Sequence, residues 1–510
     1  MNKQKDALAN PYIELYIAFL LFIFLSVYIF TQLNNTPIFN GDEFITWSKA
    51  EFFSLSFFTS KRPFTTNLFY KLCNSNPQYA VIAQQLLHVL SWTTLGYAIS
   101  HSLKNRCLSI ILLIFCSISA LWWNILGWTF IMRSESFTFS LFLMWFSLLI
   151  LNFKFKNYFL FIALSTVTLF FSFTRDSVPY FLLFFIIAIS VMMYVLNTKT
   201  WHYYKKSIIA YLAVIVIIFT LQNLSAKNAR PYPRHTFNIT NIFFQRILTD
   251  PFKNDWFQKR GMPQIPNSSK WENNWASGND WIFFKDDCYK PFLRWIQNKS
   301  VGLYSLYLVK HPTYFFKSAF DNKNKILSYN LFSYTGWLPS KNNIVKIVSH
   351  LWYPMDTTLL MFVIIIVNLI LFKHYKNKIR AIYIIPMLLL FLTLGLQAGN
   401  SESFNFIFLI ISSFICAWTY KRKGSVLYLM PLTLILSSLF NGLFVYHADA
   451  MEVWRHSLMT VFGLALAYIF ALAHIIDLIF TEIKFSDWII KNKNAAAENI
   501  TLKLTGNSTT

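Results

Sequence analysis

Apolar runs of about 18–25 residues recur from one end of this chain to the other. No other feature narrows the fold as much. In lipid the backbone of each run must satisfy its own hydrogen bonds, which leaves helices or closed barrels. These runs are too long and too uniformly apolar for barrel strands, so they read as helices. The composition agrees: the 510 residues are 55% hydrophobic and 19% aromatic, and only 13% are charged. A soluble domain carries about 25% charged residues. The expected fold is an all-α polytopic membrane protein with about twelve transmembrane helices. The expected spans are 12–32, 80–101, 106–124, 135–152, 158–174, 178–196, 206–224, 355–372, 380–398, 402–420, 424–446 and 456–480. The first run exceeds a signal-peptide core and no small-residue cleavage site follows it, so it reads as a retained span.

Loop charges set the orientation. Lys3 and Lys5, Lys104 and Arg106, Lys154 and Lys156, Lys199 with Lys205 and Lys206, Lys373 to Arg380, and Lys421 to Lys423 all fall on one side. Such a bias marks the cytoplasmic face, so both termini are expected there. The net charge of +23 is explained by orientation and headgroup contact, and no nucleic-acid motif accompanies it. Abundant Phe, Ile, Lys and Asn fit an AT-rich bacterial genome, hence an inner membrane with the opposite face periplasmic. The expected organisation is a transmembrane domain over 1–224 with a first outer loop at 33–79, an outer-face soluble domain over 225–354, a second transmembrane domain over 355–480, and a cytoplasmic tail over 481–510.

The outer loops differ chemically from the inner ones. They hold Asp42 and Glu43, Arg133 and Glu135, Arg175 and Asp176, Glu402, and then Asp449, Glu452, Arg455 and His456. Orientation rules say little about acids, so this segregation calls for another cause. Asp42 and Glu43 follow Pro37 and Gly41, which end a helix and permit a tight turn. A carboxylate held at the lipid–water boundary can deprotonate an acceptor; the plainer reading is a surface acid or a helix cap. The aromatic residues after it, Phe44, Trp47, Phe52 and Phe53, suit amphipathic helices lying in the interface.

Ser134-Glu135-Ser136-Phe137 is echoed by Ser401-Glu402-Ser403-Phe404, each opening an outer-to-inner helix. The plain explanation is a Ser cap with Glu at the positive helix end. Arg175-Asp176 fills a very short outer turn, either as an internal ion pair or with Arg175 binding a phosphate and Asp176 orienting it. Asp449, Glu452 and His456 share one face if the last outer loop is helical. No H-E-x-x-H or cysteine-based pattern accompanies them, so a divalent metal has only weak support. Gln84, Gln85 and His88 form the main polar group inside a span and suit interhelical hydrogen bonds. The outer domain is rich in Trp, including Trp256, Trp271, Trp275, Trp281, Trp295 and Trp337. Trp fills small cores, and its flat face also suits a sugar ring. The five cysteines give no disulfide framework, although Cys73 and Cys288 share a face and could pair.

The Gly41-Asp42-Glu43 motif directly after the first span, the amphipathic segments that follow it, the many spans and the large outer domain together resemble the GT-C glycosyltransferases. That group uses polyprenyl-phosphate-linked sugars and includes protein mannosyltransferases, aminoarabinose transferases and O-antigen glucosyltransferases. The resemblance implies an inverting transfer to an outer-face glycan, lipid or protein, with Asp42 as base and Glu43 as partner or substitute. It also implies cations steadying the leaving phosphate, and Arg133, Arg175, Arg455 and His456 are placed for that role. Glu135, Asp176, Glu402, Asp449 and Glu452 would support them. An Asp-x-Asp in the second outer loop, common among metal-using members, is missing here.

Two other readings stand beside this one. An O-antigen polymerase or ligase leans on Arg and His in its large loop, for which Arg230, Arg234 and His235 are available. A transporter or flippase would place ionisable residues near mid-membrane, where these spans carry almost none.

Overall fold

The computed structural model describes residues 11–33, 37, 63–229, 232–276, 278–327, 342–352, 413–421, 424–450, 453 and 457–482. Every regular element among them is a helix. The helices of the main bundle are α1 (Pro11–Gln32), α3 (Pro77–Ser102), α4 (Arg106–Ile118), α5 (Ser134–Phe155), α6 (Tyr158–Ser172), α7 (Val178–Leu196), α8 (Thr198–Lys227), α13 (Met430–Ala448) and α14 (Leu458–Glu482). A short helix, α2 (Phe64–Leu72), precedes α3. The segment expected on the outer face, called the outer domain below, contains α9 (His235–Ile242), α10 (Val301–Lys310) and α11 (Pro312–Asp321), and α12 (Asn343–Trp352) follows it.

Asparagine starts several of these helices. Asn76, Asn105, Asn157 and Asn197 accept hydrogen bonds from the first backbone N–H groups of α3, α4, α6 and α8. Each cap removes one orphan donor and is worth about 1 kcal/mol. Three of them adjoin a lysine turn, and at one of these Asp477 Oδ1 of α14 also accepts from the Lys104 and Asn105 N–H groups at 3.0 and 2.8 Å.

Among the described residues, six helices are long and apolar enough to cross a membrane, compatible with an integral membrane protein. A seventh candidate is the bent pair Arg106–Leu121 and Trp123–Phe130, which turns by 49°. The expected span 106–124 therefore stops early: α4 ends at Ile118, and residues 119–133 are all buried. Gln84 Nε2 donates to the Thr129 carbonyl at 2.7 Å, and His88 Nε2 meets the Ala120 carbonyl at 3.0 Å. The polar group inside α3 thus serves the carbonyls of two short 3₁₀ turns beside it, Ser119–Leu121 and Gly127–Phe130, and buried carbonyls need such partners. Expected spans 355–372 and 380–398, the start of 402–420 and the tail lie outside the described residues. Helix α8 begins at Thr198, well before the expected 206.

Close helix approach uses small residues. A Cβ on Gly96 of α3 would lie 2.8 Å from the Leu113 carbonyl of α4, and one on Gly463 of α14 would collide with Ser438 of α13. Around α5 the core is aromatic: Phe142, Trp145, Phe171 and Phe181 pack with ring centroids 5.5–6.1 Å apart. The Trp145 indole donates to Tyr211 Oη at 2.7 Å, so even its polar edge is satisfied.

The outer domain has its own core, with Phe243, Phe257, Trp271, Phe283, Phe292 and Trp295 all buried. Trp271 and Trp295 are core fillers, which leaves them no face for a sugar. Cys73 and Cys288 are free thiols, as are the other three cysteines.

Candidate functional site

The N-terminal end of α5, expected on the outer face, carries buried charge. Arg133 stands at its N-cap and Glu135 in its first turn, and both are buried. The expected serine cap is not made: Ser134 is already helical, and its hydroxyl points to Glu135 Oε2 at 3.4 Å. Glu135 instead meets Arg175, whose Nη2 lies 3.8 Å from Oε1, with side-chain exposures of 4% and 10%. Two helix ends distant in sequence are joined there, on the positive end of the α5 dipole. At this burial a carboxylate and a guanidinium are tolerable only with partners.

Arg175 and Asp176 do not form the expected intraloop pair, nor does Asp176 orient Arg175. Asp176 accepts from Gln222 Nε2 of α8 at 2.6 Å and from Arg234 Nε at 3.1 and 3.2 Å. The Arg234 guanidinium also donates to Ser225 Oγ at 3.1 Å. The cause is the turn itself. Phe173–Ser177 is a short turn, and its successive side chains diverge, Arg175 to Glu135 of α5 and Asp176 to Gln222 and Arg234. Helix α2 docks on the same turn: the Thr65 N–H donates to the Phe173 carbonyl at 3.1 Å, and its hydroxyl donates to the Phe170 carbonyl at 2.6 Å. The end of the first outer loop therefore reaches the Arg175 turn. Asp42 and Glu43 lie outside the described residues.

Helix α13 ends at Ala448, and its C-cap Asp449 is extended (φ −145°, ψ 144°). Glu402, Glu452, Arg455 and His456 lie outside the described residues. The outer domain grips the end of α13. Arg246 Nη1 donates to the Tyr446 carbonyl at 2.6 Å and Nη2 to the Asp449 carbonyl at 2.9 Å. Its guanidinium also lies 4.0 Å from the Tyr446 ring centroid. His447 adds contacts to the Phe315 carbonyl at 2.8 Å and the Tyr304 hydroxyl at 3.3 Å. Arg246 belongs to no motif in the sequence. Its signal was a single cation inside the apolar stretch Phe243-Phe244-Gln245-Arg246-Ile247.

Burial raises the Tyr304 phenol above its usual range, against the pull of Arg246. Burial likewise lowers His235, although a backbone contact at Gln297 and the charge of Asp176 act the other way. His235 is thus held neutral beside an Arg234 already committed to Asp176. Among the described residues no three His, Cys, Asp or Glu side chains come together as a metal site would need.

The structure brings together Glu135 with Arg175 and sets Arg133 beside them in sequence. It separates Asp176 from Arg175 and commits Asp176 to Arg234. Compared with protein families, curated proteins and solved structures, the chain shows a match to none.

Proposed function

We propose that this protein is a membrane glycosyltransferase of the GT-C kind, moving a sugar from a polyprenyl-phosphate carrier to an outer-face acceptor. The observation that carries the reading is the buried Glu135–Arg175 contact at the outer end of α5. A donor phosphate attached to a lipid lies at headgroup depth, so its anchors belong at helix ends. A guanidinium already desolvated and oriented there stabilises developing phosphate charge without reorganising.

In the proposed reaction Asp42 takes the proton of the acceptor hydroxyl. The acceptor oxygen bonds to the anomeric carbon from the face opposite the phosphate. The carbon–oxygen bond to phosphate breaks, polyprenyl phosphate leaves with the electron pair, and the configuration inverts. Arg175, Arg133, Arg455 and His456 are the proposed phosphate-side cations, and Glu135 fixes the orientation of Arg175. The polymerase or ligase reading depends on a large-loop Arg and His. It gains less support, because Arg234 is spent on Asp176 and Ser225.

The test is release of polyprenyl phosphate from polyprenyl-phosphate hexoses by the full chain in proteoliposomes, with membrane fractions as acceptor. Asp42→Asn should abolish release while the protein still accumulates. Arg175→Lys should lower turnover by about 100-fold, the scale of losing one oriented donor to developing charge. Undiminished release by the Asp42 variant would overturn the assignment of the base.

A further inference from the structure

At the end of the bundle opposite the Glu135–Arg175 contact, a cavity of about 410 Å³ opens among the C-terminus of α5, the start of α6 and the first half of α8. Its volume falls in the range of small-ligand sites, about 300–1,000 Å³. Its depth is apolar: Leu164, Ile186 and Ile208 line it and are buried. Its mouth is polar and exposed, with Lys156 and Lys206 contributing the charge and Ala210 a small side chain.

Lys156 is held in place. It closes α5 in the left-handed conformation (φ 51°), and its ammonium lies 3.0 Å from the Tyr203 ring centroid and 4.5 Å from that of Tyr204. Tyr204 Oη in turn donates to the Phe153 carbonyl at 3.2 Å, tying α8 to α5 at the cavity mouth. Tyr158, Phe159 and Tyr203 are each more than two-thirds exposed at this level. Exposed rings beside lysines mark the headgroup zone of a bilayer.

The charged residues lining the cavity, Lys156 and Lys206, are of one sign, and the Asp477 carboxylate at this end is engaged with the Lys104 and Asn105 N–H groups at 3.0 and 2.8 Å. Between Glu135 and Asp250 the sequence contains one carboxylate, Asp176, and that residue sits at the other end of the bundle on Arg234. Glu14 of α1 approaches this end but is engaged with His101 at 2.7 Å. The helix starts at this level are capped by Asn105, Asn157 and Asn197 rather than by aspartate. Lys154, Lys156, Lys199, Lys205 and Lys206 thus face the headgroups, and the one carboxylate between them in sequence, Asp176, is held at the other end.

An apolar slot at acyl-chain depth below a fixed cationic mouth fits one ligand class. We propose that this cavity binds an anionic glycerophospholipid, with its phosphate on Lys156 and Lys206 and the upper part of one acyl chain between α6 and α8. The site is remote from the transfer chemistry proposed above and does not depend on it.

The test is native mass spectrometry of the full chain in detergent, titrated separately with dioleoyl-phosphatidylglycerol, dioleoyl-phosphatidylcholine and inorganic phosphate. Phosphatidylglycerol should be retained at about ten-fold lower concentration than phosphatidylcholine, the scale of two juxtamembrane lysines acting on an anionic headgroup. The double variant Lys156→Ala/Lys206→Ala should erase that preference. Ala210→Trp, which fills the mouth from an exposed position, should weaken retention of both lipids. Lys104→Ala removes a charge from the same face outside the cavity and should change nothing. Equal retention of the two lipids by the unaltered chain would overturn the proposal, as would an equal effect of Lys104→Ala. Inorganic phosphate displacing phosphatidylglycerol would mean a free-anion site and would also overturn it.

Discussion

The two ends of the α5–α8 bundle handle charge in opposite ways. At one end Glu135 and Arg175 are buried and in contact, and Asp176 is locked to Arg234. At the other end Lys154, Lys156, Lys199, Lys205 and Lys206 are exposed, and the Lys156 ammonium lies over the Tyr203 and Tyr204 rings. Buried charges must be matched in fixed geometry, because an isolated ion in a low-dielectric interior is too costly. Exposed lysines need no match, since their long stems carry the ammonium to the headgroups. Charge is therefore structural and directional at the first end and a diffuse field at the second.

The largest effect should come from breaking the buried pair. Glu135→Gln leaves Arg175 without its carboxylate, and losing one member of a buried pair costs about 3–5 kcal/mol. Thermal unfolding in detergent should show a clear loss, and an unchanged midpoint would mean that Arg175 is satisfied by other groups. Next is the link to the outer domain. Arg234→Ala frees the half-exposed Asp176, and solvent screening limits the cost to about 1 kcal/mol. The expected readout is faster hydrogen exchange over residues 225–236 with the core of α5 unaffected.

A smaller effect should follow from pH. The folded His235 binds its proton less readily than the unfolded chain does. Stability from this group is fully present above the unfolded value of about 6.5 and declines as pH falls below it, levelling off under the folded value. Unfolding of the outer domain monitored between pH 7 and 5 should show this slope, and His235→Asn should flatten it. The smallest effect belongs to the lysine end. Lys154→Ala should shift stability by no more than about 0.5 kcal/mol. A larger loss would show that this end, too, is built from specific pairs.

Much of the helical framework was legible from particular residues. Apolar runs located α1, α7, α13 and α14 closely, because in lipid hydrophobicity alone selects the element. Gln84 and His88 were read as hydrogen-bonding groups, as Thr129 and Ala120 confirm. The 119–133 segment was misread as the end of a span followed by a loop. Its hydropathy is that of a span, and only the packing of α3 and α12 reveals a chain that bends and stays buried, with Ser349 Oγ accepting from the Trp123 N–H at 2.9 Å. At the candidate site, sequence picked out Glu135, Arg175 and Asp176 but paired the wrong two. Adjacency in a tight turn suggests a local pair, whereas the turn sends the side chains to opposite sides.

The sequence by itself determined that this chain forms apolar helices and that its acids and lysines segregate to different loops, because both properties follow from local composition. Only the tertiary structure decided which charges meet. Partner choice depends on where helix ends fall in space, and Glu135 and Arg175 are forty residues apart along the chain but in contact through the packing of α5 against α6 and the turn beyond it.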